Sequence, residues 1–219
     1  MTVDVRVLEE PEQAAAELLA ETAVAGAQLA LSGGSTVGSA YELAARLQSR
    51  WRDVDVWFGD ERSVPPDDER SNYRLVRERL IDALAVPPQV HRVRGELSAE
   101  LAAGSYDAEL AGVTLDLALN GIGADGHTAS LFPHAPSLEE TKRRAVPAEP
   151  GLEPLIPRVT MTPPVFAACK LLVYLVAGEA KADAVARALR EPDPGTPASV
   201  VRGLRTVFLL DPPAASLLG

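Results

Sequence analysis

Cysteine is nearly missing from this 219-residue chain. Cys169 alone cannot make an internal disulfide or a cysteine-rich zinc site, and the shortage fits a reducing compartment. Long apolar runs are missing too: nothing approaches the ~18 consecutive apolar residues of a spanning helix. The opening MTVDVRVLEE lacks the basic start and apolar centre of an export signal. A cytoplasmic protein with no membrane partner is therefore expected. Positive charge is short as well, since 21 Lys and Arg stand against 31 Asp and Glu, for a formal net charge of −10. Such a field repels nucleic acid, which is not an expected partner. An anionic substrate would have to be held by a few cations gathered in one cleft, so each basic residue inside a motif is informative. With 47% hydrophobic and 24% charged residues, the chain reads as a single domain over residues 1–219. It is expected to be a monomer, with weak self-association as the alternative.

What is present is an alternation of short apolar runs with segments of helical period, the sequence sign of βαβ units. Strands are expected at Val3 to Leu8, Gln28 to Leu31, Val54 to Phe58, Leu115 to Leu119, Leu171 to Val176 and Val207 to Leu210. Helices are expected where Val37, Tyr41 and Ala44 follow the second strand, where Tyr73, Val76, Leu80 and Leu84 follow the third, and where Ala182, Val185, Ala186 and Leu189 follow the fifth. Proline-rich stretches at Val64 to Asp68, Pro133 to Pro136, Pro147 to Pro157 and Pro192 to Pro197 read as loops. The fold class is α/β, a Rossmann-like layered fold with a largely parallel sheet flanked by helices. In such sheets ligands bind beyond the carboxyl ends of the strands, which directs attention to the loops that follow them.

The loop after the second strand reads Ser32-Gly33-Gly34-Ser35-Thr36, with a helix expected from about Val37. Its glycines allow close backbone approach, Ser35 or Thr36 can cap the helix, and the exposed N–H groups make an anion site. Ser39 and Ala40 stand where a P-loop requires Lys and Ser or Thr, so a nucleotide triphosphate is not supported. The loop after the third strand carries Asp60-Glu61-Arg62. Arg62 could fork onto a phosphate or carboxylate, or pair with Asp60 or Glu61 in a solvated turn.

The loop after Asn120 reads Gly121-Ile122-Gly123-Ala124-Asp125-Gly126-His127-Thr128-Ala129-Ser130-Leu131-Phe132-Pro133. Its G-x-G-x-x-G is a weak dinucleotide signal, because Pro133 and Pro136 leave little room for the helix such a motif opens. The glycines read better as hinges bringing Asp125 and His127 to the strand end. Histidine suits proton removal from water near neutrality. Of the other histidines, His91 lies by a short strand and His134 among prolines, and both read as structural or surface residues. A metal held by Asp125, His127 and His134 would depend on that irregular segment, and no metal is expected. Cys169 lies in an apolar run and reads as core. Two later cations complete the set, Arg158 in Pro157-Arg158-Val159-Thr160-Met161-Thr162 and Lys181 in Gly178-Glu179-Ala180-Lys181. A lysine in a first helical turn opposes the macrodipole, a mild misfit that suggests a ligand.

Together these segments resemble the 6-phosphogluconolactonase family, relatives of the glucosamine-6-phosphate deaminases, over nearly the whole chain. GADGHTASLFP from Gly123 to Pro133 is the most specific match. The resemblance implies a NagB/RpiA/CoA transferase-like fold and hydrolysis of 6-phosphoglucono-δ-lactone in the oxidative pentose phosphate pathway, without a cofactor. His127 falls where these lactonases place the general base. Arg62, Arg158 and Lys181 fall where they hold phosphate and substrate oxygens, and Ser35 and Thr36 lie in the phosphate-contacting turn. Asp125 or Asp60 would orient the imidazole or the water. The deaminases instead carry a tyrosine after Asp-Glu and an Asn-Glu-Pro continuation after the histidine turn. The alternatives are a deaminase or isomerase of an amino sugar phosphate, a non-catalytic sugar-phosphate sensor, and a NAD-binding oxidoreductase.

Overall fold

The apolar runs expected to be strands all form strands and lie side by side. In the computed structural model, which describes residues 2–150 and 155–219, the chain opens with β1 (Thr2–Val7), α1 (Pro11–Thr22), β2 (Gln28–Leu31), α2 (Ser35–Leu47) and β3 (Asp55–Phe58). It continues through β4 (Asp60–Arg62), α3 (Asn72–Arg79), β5 (Gln89–Val90), α4 (Ala99–Glu109) and β6 (Leu117–Asn120). The remaining elements are β7 (Ala145–Ala148), β8 (Arg158–Met161), α5 (Pro163–Ala168), β9 (Leu171–Val176), α6 (Ala182–Ala188), α7 (Pro197–Val200) and β10 (Arg205–Leu210).

A seven-stranded sheet has the order β1-β10-β9-β6-β2-β3-β5, with every pairing parallel. β6 is buried throughout and β9 is buried after its first residue, as strands covered on both faces must be. Val37, Tyr41 and Ala44 of α2 are buried, as are Val76 of α3 and Tyr106 of α4, so the helical stripes do close over the sheet. Because the chain passes from β2 to β3 on one side and returns to β6 on the other, the strand order reverses between β2 and β6. That is where a doubly wound sheet opens a crevice.

Three local expectations are corrected. α2 begins at Ser35, and its N-cap is Gly34 at φ +125°, with no side-chain capping bond. Ser35 and Thr36 therefore sit inside the first turn instead of capping it. β6 starts at Leu117, two residues later than expected from the leucine run. The proline-rich segment from Pro147 begins as strand: Pro147 and Ala148 belong to β7, at the edge of a small antiparallel sheet ordered β4-β8-β7. An edge strand tolerates a residue that has no N–H. Residues 151–154 of the expected loop lie outside the described residues.

Candidate active site

Two tyrosines fix the strand ends from which the site is built. Tyr41 on α2 donates its hydroxyl to the Ser32 carbonyl at 2.7 Å and accepts the Ser32 N–H at 3.0 Å, just past β2. Tyr106 on α4 makes the same two-way contact with Phe58 at the end of β3, accepting at 2.7 Å and donating at 3.1 Å. Both phenols are fully buried, and burial pushes their pKa values up, so these ties stay neutral and intact across the working pH range.

Beyond the strand ends lies an open cleft of about 270 Å³. The β2 turn contributes Gly33, Gly34, Ser35 and Thr36, while β4, just past the end of β3, contributes Asp60 and Arg62. The β6 loop brings Gly123 and His127, β8 brings Arg158, and the turn after β9 brings Lys181. All the residues expected to form the site line this cleft except Asp125, which stands behind His127.

His127 Nδ1 lies 2.6 Å from Asp125 Oδ1, and the same oxygen accepts the His127 backbone N–H at 3.1 Å. A carboxylate at this distance takes Nδ1–H and leaves Nε2 as the unprotonated nitrogen. The turn is closed by Gly126 N–H to the Gly123 carbonyl at 2.9 Å and Gly123 N–H to the His127 carbonyl at 2.8 Å. Gly126 adopts φ +93°, a conformation that favours glycine. A side chain at Gly123 has no room, since a Cβ there would lie 2.1 Å from His127 Nδ1 and 2.6 Å from Asp125 Oδ1. Gly123→Ala should therefore push the dyad aside and lower kcat about 10- to 100-fold, with the far-ultraviolet spectrum unchanged. Wild-type kcat in that variant would remove the dyad from the reaction.

Asp60 is buried and does not hold the imidazole. Its carboxylate accepts Ser130 Oγ–H at 2.5 Å and Asn72 Nδ2–H at 3.0 Å. Asp125 is the carboxylate on the imidazole. Arg62 makes neither of its two expected acidic pairs: its Nη1 donates to the Arg70 carbonyl at 2.6 Å. Glu61 instead accepts the backbone N–H groups of Arg62, Asn72 and Tyr73, together with Ser71 Oγ–H. Burial raises its pKa against those bonds. Arg62 Nε and Arg158 Nε are buried without a hydrogen-bond partner among the described residues.

Several residues that pack around the site were given no role of their own in the sequence. Asn72 packs its side-chain oxygen where a Gly33 Cβ would be, at 1.9 Å, which explains a glycine at that position. Phe132 lies between His127 (ring centroids 5.0 Å apart) and the Arg158 guanidinium, 5.5 Å from its ring. Arg187 on α6 donates to the carbonyls of Ala124 and Asp125 at 3.2 and 3.3 Å, bracing the histidine turn from behind.

The remaining candidates fall outside the cleft. His91 stacks on Trp57 at 4.0 Å and lies 2.6 Å from Asp55 Oδ1. His134 packs by the Asp193–Gly195 turn, its backbone N–H donating to the Pro194 carbonyl at 3.1 Å. Cys169 is fully buried, and burial pushes its thiol up to about 12. That keeps it a protonated core residue. No helix among the described residues is long and apolar enough to cross a membrane.

Comparison with known proteins follows the same geometry. The family model described as glucosamine-6-phosphate isomerases/6-phosphogluconolactonase matches residues 5–209. A 6-phosphogluconolactonase of Haemophilus influenzae is 35% identical over 164 residues, covering 71% of this chain and 70% of that protein. One from Aggregatibacter actinomycetemcomitans is 33% identical over 206 residues, covering 88% of each. The crystal structure of 6-phosphogluconolactonase from Thermotoga maritima superposes with a TM-score of 0.83 at 29% identity, covering 96% of this chain and all of that one.

Proposed function

Because this chain belongs to the family of glucosamine-6-phosphate isomerases and 6-phosphogluconolactonases, we propose that its cleft hydrolyses 6-phosphoglucono-δ-lactone to 6-phosphogluconate, a step of the oxidative pentose phosphate pathway. The observation that carries this reading is the meeting of one oriented imidazole and three cations, Arg62, Arg158 and Lys181, in the same cleft. A general base and an anion site within one substrate's reach are what a phosphorylated ester requires.

The substrate phosphate docks on the N–H groups of the Gly33–Thr36 turn, where α2 points its positive dipole end, with Arg62, Arg158 or Lys181 closing over it. The lactone ring then reaches towards His127. Nε2 takes a proton from water as the water oxygen adds to the ring carbonyl. Collapse of the adduct breaks the ring C–O bond, and the proton goes on to the leaving alkoxide. Asp125 holds the ring and stabilises the imidazolium that forms. A lactone is an activated ester, so orientation plus proton removal is enough, and no covalent enzyme intermediate enters.

Proton release in weakly buffered solution tests the proposal, with 6-phosphoglucono-δ-lactone compared against unphosphorylated gluconolactone after correction for spontaneous opening. A kcat/KM at least ~100-fold higher for the phosphorylated lactone is expected, the size of one or two charge-assisted contacts. Equal rates for the two lactones, or no rate above the spontaneous one, would overturn it.

A further inference from the structure

We propose that β1 is a self-recognition edge through which two copies of this chain associate by antiparallel pairing about Val5. β1 is the outermost strand of the large sheet, and among the described residues its only sheet partner is β10. The opposite edge, β5, is blunted to two residues. β1 has six residues with no proline, and its only charges, Asp4 and Arg6, are of opposite sign and offset each other in an ion pair, so the edge is neither short nor guarded by charge of one sign.

The backbone phase is set by the pairing with β10. Thr2 N–H donates to the Leu204 carbonyl at 3.3 Å and Leu8 N–H to the Leu210 carbonyl at 2.8 Å. Even-numbered residues therefore face inward, and the N–H and C=O groups of Val3, Val5 and Val7 point out from the sheet. Their side chains share one face and are 50%, 40% and 50% exposed.

Only one antiparallel register places Val5 on a two-fold axis. It makes Val5 opposite Val5 and Val3 opposite Val7 hydrogen-bonded pairs, each exchanging two bonds, and it gathers all the exposed valines on one face. On the other face the same register sets Asp4 of each copy against Arg6 of the second copy. Within one chain these two already lie 2.9 Å apart, so the pairing makes an alternating ring of four charges. A one-residue shift in backbone phase would turn unbonded groups inward, and a two-residue shift would lose the charge match. Hydrogen-bond phase, apolar face and charge order thus select the same arrangement, which is closed and cannot propagate into fibres. Of the two expectations from composition, the geometry favours self-association over a strict monomer.

The test is sedimentation velocity on the full chain from about 1 µM to about 1 mM at fixed salt. Wild type should pass reversibly from monomer to dimer mass. Val5→Lys should weaken association at least tenfold, with circular dichroism and thermal midpoint unchanged. Asp4→Arg and Arg6→Asp should each fail to self-associate, since like charges then face each other. An equimolar mixture of those two variants should recover a dimer, because each acidic position meets a basic one. A wild type that stays monomeric over the whole range, or a dimer indifferent to Val5→Lys, would overturn the proposal. So would a mixture that behaves like its separate components.

Discussion

Replacing His127 with alanine is expected to lower kcat by about 10²–10⁴-fold while KM for the phosphorylated lactone changes by less than about threefold. The asymmetry follows from where the side chain sits. On the proposed reading the phosphate is held by the Gly33–Thr36 turn and the cations, none of which uses the imidazole as a hydrogen-bond partner, so ground-state binding should survive. Proton removal has no substitute, because the carboxylate that could take over, Asp60, is already accepting from Ser130 and Asn72. The pH profile gives a second readout. Burial pushes the Asp125 carboxyl up, but the His127 hydrogen bond and the charge of the imidazole outweigh it and hold Asp125 below the usual carboxylate range. Asp125 thus stays ionised further into acid than an ordinary carboxylate, and the stability it contributes is lost as pH falls through that lowered value. In wild type kcat/KM should fall on acidification with uptake of one proton. In His127→Ala that limb should vanish. A variant with wild-type kcat and an unchanged acid limb would exclude His127 as the base.

How far the site could be read from sequence depended on whether each residue's role is local. β2 and β9 match their expected bounds to the residue, because each is an apolar run pressed between polar ends and covered on both faces. That Asp125 and His127 come together at the end of β6 was legible for a similar reason, since both lie in one glycine-rich turn, but sequence alone left the contact between them open beside one from Asp60. The small antiparallel sheet was not legible. β4 is three charged residues, and it is a strand only because β8, nearly a hundred positions later, pairs with it. β7 contains a proline, which argues against a strand until its edge position is known. α1 and α4 went unread despite local signals: Pro11 stands at the helix start, and Ser98 caps α4 by accepting the Leu101 N–H. The Asn72–Gly33 and Ser130–Asp60 contacts and the Arg187 brace join distant segments, so no local pattern could announce them. Asp60 is held by Ser130 and Asn72, each from another segment, so only the folded chain shows that Asp125 is the carboxylate in contact with the imidazole.

Removing both arginines of the cleft, as Arg62→Met with Arg158→Met, is expected to lower kcat/KM for the phosphorylated lactone by about 10²–10⁴-fold, at ~1.5–3 kcal/mol for each charge-assisted bond lost. Hydrolysis of unphosphorylated gluconolactone should hardly change. Arg62 and Arg158 stand directly opposite each other across β4 and β8. Two guanidinium groups in that arrangement repel, and among the described residues neither makes an ion pair with a carboxylate, although Asp60 and Glu61 act on Arg158 at longer range. Arg158 is 6% exposed, and burial draws its pKa below the ordinary arginine value in spite of them. A pair like this is a cost to the folded chain unless an anion lies between the two. The double variant should therefore hold or raise the thermal midpoint of the ligand-free protein while losing its preference for the phosphorylated substrate. Inorganic phosphate should raise the wild-type midpoint and leave that of the double variant unmoved. If the arginines were only structural, stability would fall and both lactones would suffer alike. If they served the carbonyl instead of the phosphate, the unphosphorylated lactone would lose as much rate as the phosphorylated one. Only an anion held between β4 and β8 gives a loss confined to the phosphorylated substrate together with a ligand-free protein that is no less stable.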